Sequence, residues 1–293
     1  MLFDYTVLLN SKAALFAYIL LSASIVSLWL KRSIIIFGGL LSIAILLALF
    51  SHRLQWPTLF FIGFFGGINY LTFNIKQKLL NVLSSVITLT VSVLLWFHAV
   101  PGFSNWLIAK NLFISADAVP FTIFLNFDKP LIGLFILGFS SIPLLHTWQG
   151  WYNMLKKTLP IALVGSVLIA GSACLLGYIK FDPKMNTFFI LWALNNLLLT
   201  CIAEEALFRG WIQRSISATL KYYRYGDHFA LVIAAVLFGL IHWGNLMYIT
   251  LATFAGLLYG FVYQKTKNIE ASIMAHFLLN VLHFVGFTYP ALA

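Results

Sequence analysis

The chain is a succession of long apolar runs separated by short polar stretches. The runs are Ala13–Leu30, Ser33–Phe50, Trp56–Asn74, Leu79–Val100, Leu131–Leu145, Thr158–Ile179, Phe188–Ile216, Phe229–His242, Leu246–Tyr263 and Ala271–Phe287. Most approach the roughly 20 residues that a helix needs to cross a bilayer. Apolar residues follow one another rather than alternate, which excludes a transmembrane barrel and predicts helices. One connection, Pro101–Pro130, holds Pro101-Gly102, Pro120 and Pro130 with two Asp and two Lys, and reads as loop or interfacial structure. The pattern predicts an all-α fold: a polytopic membrane helix bundle of about nine or ten transmembrane helices around an internal polar cavity.

Composition sharpens this picture. Of 293 residues, 61% are hydrophobic and 9% charged, against about 25% charged in soluble domains. So few charges cannot cover a water-facing surface, which excludes a soluble enzyme, a disordered chain and a secreted disulfide scaffold. Cys174 and Cys201 both lie inside apolar runs, where neither a structural disulfide nor a thiolate site is expected. The net charge of +10 sits on Lys and Arg at run ends, as topology signals and contacts to anionic lipid rather than to nucleic acid. Alternate connections collect Lys31, Arg32, Lys76, Lys78, Lys156, Lys157, Arg214, Lys221, Arg224, Lys265 and Lys267 on one side. Lys12, Arg53, Lys110, Lys129, Lys180 and Lys184 fall on the other, eleven against six. The richer side is expected in the cytoplasm, and ten helices then put both termini outside. The first run lacks a small-residue cleavage site and reads as a retained span.

Eight acidic residues are present. Asp4, Asp117, Asp128, Asp182, Asp227 and Glu270 fall in connections. Glu204 and Glu205 instead follow Phe188–Ala203 and continue into Ala206-Leu207-Phe208-Arg209. Charged groups at membrane depth are costly and face a bundle interior or a watery cavity. Glu205 and Arg209 stand at i,i+4 in the favoured order, an internal ion pair that serves structure. Glu204 projects about 100° away and has no local counter-ion, which frees it to act as a general base. His242 closes its apolar run. His276 and Asn280 share a helix face, with His283 near it. His52, His98, His146 and His228 lie at run ends or in loops, where solvation accounts for them.

Glu204-Glu205-x-x-x-Arg209, then Phe238-x-x-x-His242, then His276-x-x-x-Asn280 is the motif order of the CPBP family. Residues 158–287 resemble these intramembrane proteases, typified by the type II CAAX prenyl endopeptidase. The resemblance implies that Glu204 and His242 activate a water, that His276 and Asn280 bind the oxyanion, and that Glu205 and Arg209 support them. Residues 1–130 match nothing comparable. They read as accessory N-terminal transmembrane helices with a connecting loop, and 131–293 as a CPBP-like catalytic transmembrane domain.

Amide hydrolysis by water needs a base, a proton for the leaving amine and oxyanion donors. The residues supply all three without a cofactor. The substrate expected is a membrane-anchored or lipid-proximal peptide or protein, and the setting a bacterial plasma (inner) membrane crossed many times. Zinc is the rival cofactor, since Glu204, His242 and His276 could form a three-ligand open site, although no His-Glu-x-x-His occurs. A proton-coupled transporter and a non-catalytic scaffold or immunity factor are the rival functions. One geometric demand stands out. His242 ends its helix while His276 lies about a turn inside another, so straight full-length helices would part them. Either the turn Trp243-Gly244-Asn245 lies deep or a helix there is short or broken.

Overall fold

The computed structural model describes residues 6–9 and 11–293, so Asp4 lies outside the described residues. After a single helical turn at Thr6–Leu9 come α1 (Lys12–Leu30), α2 (Ile34–Phe50), α3 (Thr58–Asn74) and α4 (Lys78–Trp96). A hairpin, β1 (Trp106–Leu112) and β2 (Phe121–Leu125), separates these from α5 (Lys129–Phe139) and α6 (Trp148–Leu175). The composite helix α7 (Phe189–Thr219) follows, then α8 (Gly226–Ile241), α9 (Leu246–Thr266) and α10 (Ile269–Gly286). The fold is an all-α polytopic membrane bundle. Among the described residues α1, α4, α6, α7, α9 and α10 are long and apolar enough to span a bilayer, and α2, α5 and α8 are shorter apolar helices. Outward-facing side chains such as Leu175, Phe60 and Ile35 are more than 80% exposed, as lipid-facing residues should be.

Successive helices run antiparallel, so connections alternate between two faces. The basic face carries the turns after α1, α3, α5, α7 and α9. Arg32 donates there to the Ser140 carbonyl at 2.8 Å and also to that of Ile142. The opposite face carries the hairpin, which pairs antiparallel with Trp106 opposite Leu125 and Leu112 opposite Phe121. Within Pro101–Pro130, read as loop or interfacial structure, the sequence did not announce these two strands. The Ile-, Phe- and Leu-bearing strands, five and seven residues long, are too short to register against the helical runs around them.

Two helix boundaries also need correction. The run Leu131–Leu145 is helical only from Lys129 to Phe139, because Pro143 disfavours helix before it and Arg32 takes the carbonyls beyond. The helix expected from Thr158 begins at Trp148, capped by the Thr147 hydroxyl, which accepts from Gly150 N at 3.1 Å. Glu270 is no connection residue. It lies in the first turn of α10, 1% exposed, and its Oε1 accepts from Trp29 Nε1 at 2.9 Å and Leu145 N at 2.7 Å.

The short helix α5 is the centre of the bundle. Leu131, Ile132, Leu134, Ile136 and Leu137 are all fully buried, as expected of a helix apolar all round. It starts where the Asp128 carboxylate accepts from Lys129 N at 2.8 Å and Pro130 takes a first-turn position that needs no N–H donor. It crosses α7 in close contact, since a Cβ on Gly133 would stand 2.9 Å from Ala203 Cα.

Candidate active site

α7 is not a uniform helix. Asn195–Cys201 and Ala206–Gln213 are wound as π-helix, on either side of an α-helical turn, Ile202–Glu205. Wider i→i+5 turns are frequent where a helix presents functional groups. Both glutamates lie in the α turn between them and are 2% exposed or less.

The two carboxylates have different surroundings. Glu205 Oε1 accepts from Arg209 Nη1 at 2.9 Å and from His276 Nδ1 at 2.8 Å. Arg209 also donates to the Gly256 carbonyl at 2.8 Å and lies over the Phe238 ring at 4.5 Å. Glu204 Oε1 accepts from Lys129 Nζ at 2.6 Å. Its Oε2 has no hydrogen-bond partner although it is buried. That atom stands 3.8 Å from His242 Nε2 and 3.9 Å from His276 Nε2. These distances are too long for direct hydrogen bonds and within the reach of one shared water.

Each imidazole is fixed by its far nitrogen. His242 Nδ1 lies 2.6 Å from the Phe238 carbonyl, which can only accept, so Nδ1 carries the proton and a neutral ring offers a lone pair at Nε2. His276 Nδ1 donates to Glu205, and its ring stacks on Tyr259 at 4.4 Å and 15°. Phe238 packs against His242 at 4.4 Å and edge-on to His276 at 5.7 Å. This gives the Phe238-x-x-x-His242 spacing a physical meaning: one residue supplies both the carbonyl that orients the imidazole and the ring that walls it. The two histidines meet because α8 is short, 16 residues, with His242 as its C-cap.

Asn280 lies one turn beyond His276. Its Nδ2 donates to Asn196 Oδ1 at 3.1 Å, and Cys201 Sγ donates to the same oxygen at 3.3 Å. The structure therefore gathers Glu204, His242 and His276 around one unpaired carboxylate oxygen, with Asn280 joined to the first π segment of α7. His283 turns away and contacts the Thr288 carbonyl at 3.1 Å.

The expectation that Glu204 has no counter-ion holds only within its own helix. Lys129, counted above among the topology lysines, is 12% exposed and reaches Glu204 from 75 positions away. The available sequence signal was its position, a lone cation after Asp128 and immediately before the apolar run of α5. The boundary drawn between residues 130 and 131 falls in the first turn of α5. Trp96 was also passed over. Its ring lies 5.7 Å from that of His242 and 5.8 Å from that of Phe208. On the hairpin face a cavity of about 380 Å³ is lined by His98, Asn105, Thr122, Asn195, Asn196 and Thr200 among others. Asn196 is thus shared between its wall and Asn280.

A carboxylate and two oriented imidazoles buried in a polytopic bundle define a membrane-embedded site equipped for proton transfer. Residues 186–282, about a third of the chain, match the family described as type II CAAX prenyl endopeptidase, Rce1-like. That segment spans Glu204, His242, His276 and Asn280, and in it the chain is similar to this family of membrane proteases. Comparison with curated proteins and with solved structures finds no match.

Proposed function

We propose that the protein is an intramembrane endopeptidase that cleaves a membrane-anchored or lipid-proximal peptide with a water activated by Glu204 and His242. The observation that carries this is Glu204 Oε2, buried, unpaired and 3.8–3.9 Å from two imidazole nitrogens. Both Glu204 Oε2 and neutral His242 Nε2 accept. A water beside them donates both protons and turns its lone pairs toward a substrate carbonyl. Its oxygen bonds the carbonyl carbon, one proton passes to Glu204, and the carbonyl electron pair moves onto oxygen. His276 meets that oxyanion as an imidazolium, since its Nδ1–H is given to Glu205 and only a protonated Nε2 can donate. Asn280 adds an amide N–H. The C–N bond then breaks, and the proton held by Glu204 goes to the leaving nitrogen.

The reaction as read needs no metal. Among the described residues no group of three or more His, Cys, Asp and Glu is arranged to hold one. A divalent cation at Glu204 would also face the Lys129 ammonium, already 2.6 Å from its carboxylate. The setting proposed is a bacterial plasma membrane with the basic face in the cytoplasm. Purified protein in lipid nanodiscs, with Glu204→Gln as its inactive counterpart, tests the reading. Glu204→Gln should lose at least about 10²-fold in cleavage while remaining folded, and activity should survive a strong chelator. Retention of most activity by Glu204→Gln removes the base from the scheme. Activity lost to chelation and restored by about one zinc per chain makes the enzyme a metalloprotease.

A further inference from the structure

Two residues outside the matched segment touch the catalytic groups: Lys129, at the start of α5, and Trp96, the last residue of α4. Lys129 Nζ bonds Glu204 Oε1 at 2.6 Å and sits 3.8 Å from the centroid of the Trp96 ring. The same ring packs edge-on to His242. We propose that Lys129 is the positioning residue of Glu204 and that Lys129 and Trp96 complete the active site, so that the catalytic segment is not self-sufficient. This rests on Glu204 being the base.

The two oxygens of a carboxylate exchange places by rotation about the last side-chain bond. If Glu204 were free to rotate, the oxygen facing His242 and His276 would not be defined. Lys129 engages Oε1 alone and leaves Oε2 facing both imidazoles. An ammonium at that position also offsets the charge of Glu204, as Arg209 offsets that of the adjacent Glu205. Lys129 is itself held from three sides. Its backbone N–H is given to Asp128 Oδ1 at 2.8 Å. Asp128 is in turn fixed by Asn105 Nδ2 at 3.1 Å and His98 Nδ1 at 2.8 Å. One helical turn on, Gly133 presses α5 against Ala203, the residue before Glu204. Above the ammonium, the Trp96 face attracts it and excludes alternative rotamers. A lysine serving only to neutralise charge would not need such an enclosure.

The test uses the full chain in nanodiscs. Its substrate is a quenched fluorescent peptide spanning a cut found by comparing new C-termini in membranes that carry wild type or Glu204→Gln. Lys129→Met should lower kcat by about 10²-fold with KM changed by no more than about threefold, as expected for a misplaced base. Lys129→Arg, which keeps a cationic donor, should stay within about tenfold of wild type. Lys129→Ala should regain activity with added methylammonium, which carries N–H donors, and not with tetramethylammonium. Thermal unfolding of each variant, and of Lys129→Met combined with Glu204→Gln, separates misplacement from misfolding. The proposal is overturned if Lys129→Met keeps full kcat while Glu204→Gln is dead. It is equally overturned if activity is lost with the fold and neither arginine nor methylammonium restores it. Should wild type cut nothing that Glu204→Gln leaves intact, the protease reading fails first and takes this one with it.

Discussion

Arg209 lies wholly buried, giving one N–H to Glu205 and another to a carbonyl of α9. Removing it leaves the Glu205 carboxylate with His276 as its remaining hydrogen-bond donor. Arg209→Ala should therefore cost about 3–5 kcal/mol, the usual penalty for removing one partner of a buried ion pair, seen as a fall in Tm with no change in the membrane fraction. Arg209→Lys should recover only part of this, because one ammonium cannot span both acceptors. The Glu205–Arg209 pair was legible in the sequence because both partners sit on one helix at a spacing that fixes their separation. The Lys129–Glu204 pair is the same chemistry and was not legible, because its partners come from α5 and α7 and only the helix crossing brings them together. For the same reason His242 and His276 were recognisable as unusual, while the Glu204 oxygen on which both converge was not.

The decisive element is α5. Its residues from Leu131 to Leu137 read correctly as an apolar helix, but its length and its role did not, since Pro143 inside the run and Arg32 from another connection cut it short. Its crossing with α7 depends on a missing side chain. Gly133→Ala places a methyl carbon 2.9 Å from Ala203 Cα, and backbone cannot retreat as a flexible side chain can. The variant should lose about 1–3 kcal/mol by overpacking and should lower kcat as Lys129 shifts from Glu204. Gly63→Ala on α3, where nothing lies within 4 Å, should lower neither Tm nor kcat and serves as the control. The π segments of α7 left no mark in the hydrophobic pattern, because lengthening a turn by one residue inside a buried helix preserves its apolar character.

A second element on the hairpin face gives a pH prediction. Residues 180–184 pair with the end of α10 and the segment after it. Asp182 N donates to Gly286 O at 2.9 Å, Lys184 N to Val285 O at 2.7 Å and Thr288 N to Lys180 O at 2.8 Å. The Asp182 carboxyl lies outside the bundle. A hydrogen bond from Ser115, aided by Lys184, holds its pKa below the ordinary aspartate value of 3.8. A carboxyl depressed in the folded state stabilises that state fully above its unfolded value, and the contribution fades as pH falls through the folded one. Hydrogen exchange at the Lys184 and Thr288 amides should thus show more protection in wild type than in Asp182→Asn above pH 3.8, the difference closing below it. Equal protection at every pH would mean that the carboxylate contributes nothing to this junction.

For the molecule as a whole, the structure changes the meaning of the charge asymmetry. The sequence count set eleven basic residues against six, but Lys129 is no surface topology signal, being paired with the buried Glu204. The contrast becomes eleven against five, with Lys180 and Lys184 each paired to an aspartate. The basic face is then more firmly expected in the cytoplasm. His242, Lys129 and the cavity lined by Asn105, Thr122 and Asn196 all lie toward the other face. The site should therefore admit water and peptide from outside the cell rather than from the cytoplasm, which restricts substrates to segments exposed beyond the membrane. Single cysteines, introduced in a chain with Cys174 and Cys201 replaced by serine, can decide this in intact cells. A cysteine at Thr122 should react with a membrane-impermeant maleimide added outside, and one at Lys221 only after permeabilisation. The reverse pattern would invert the molecule and turn its cavity, with the substrates it can reach, toward the cytoplasm.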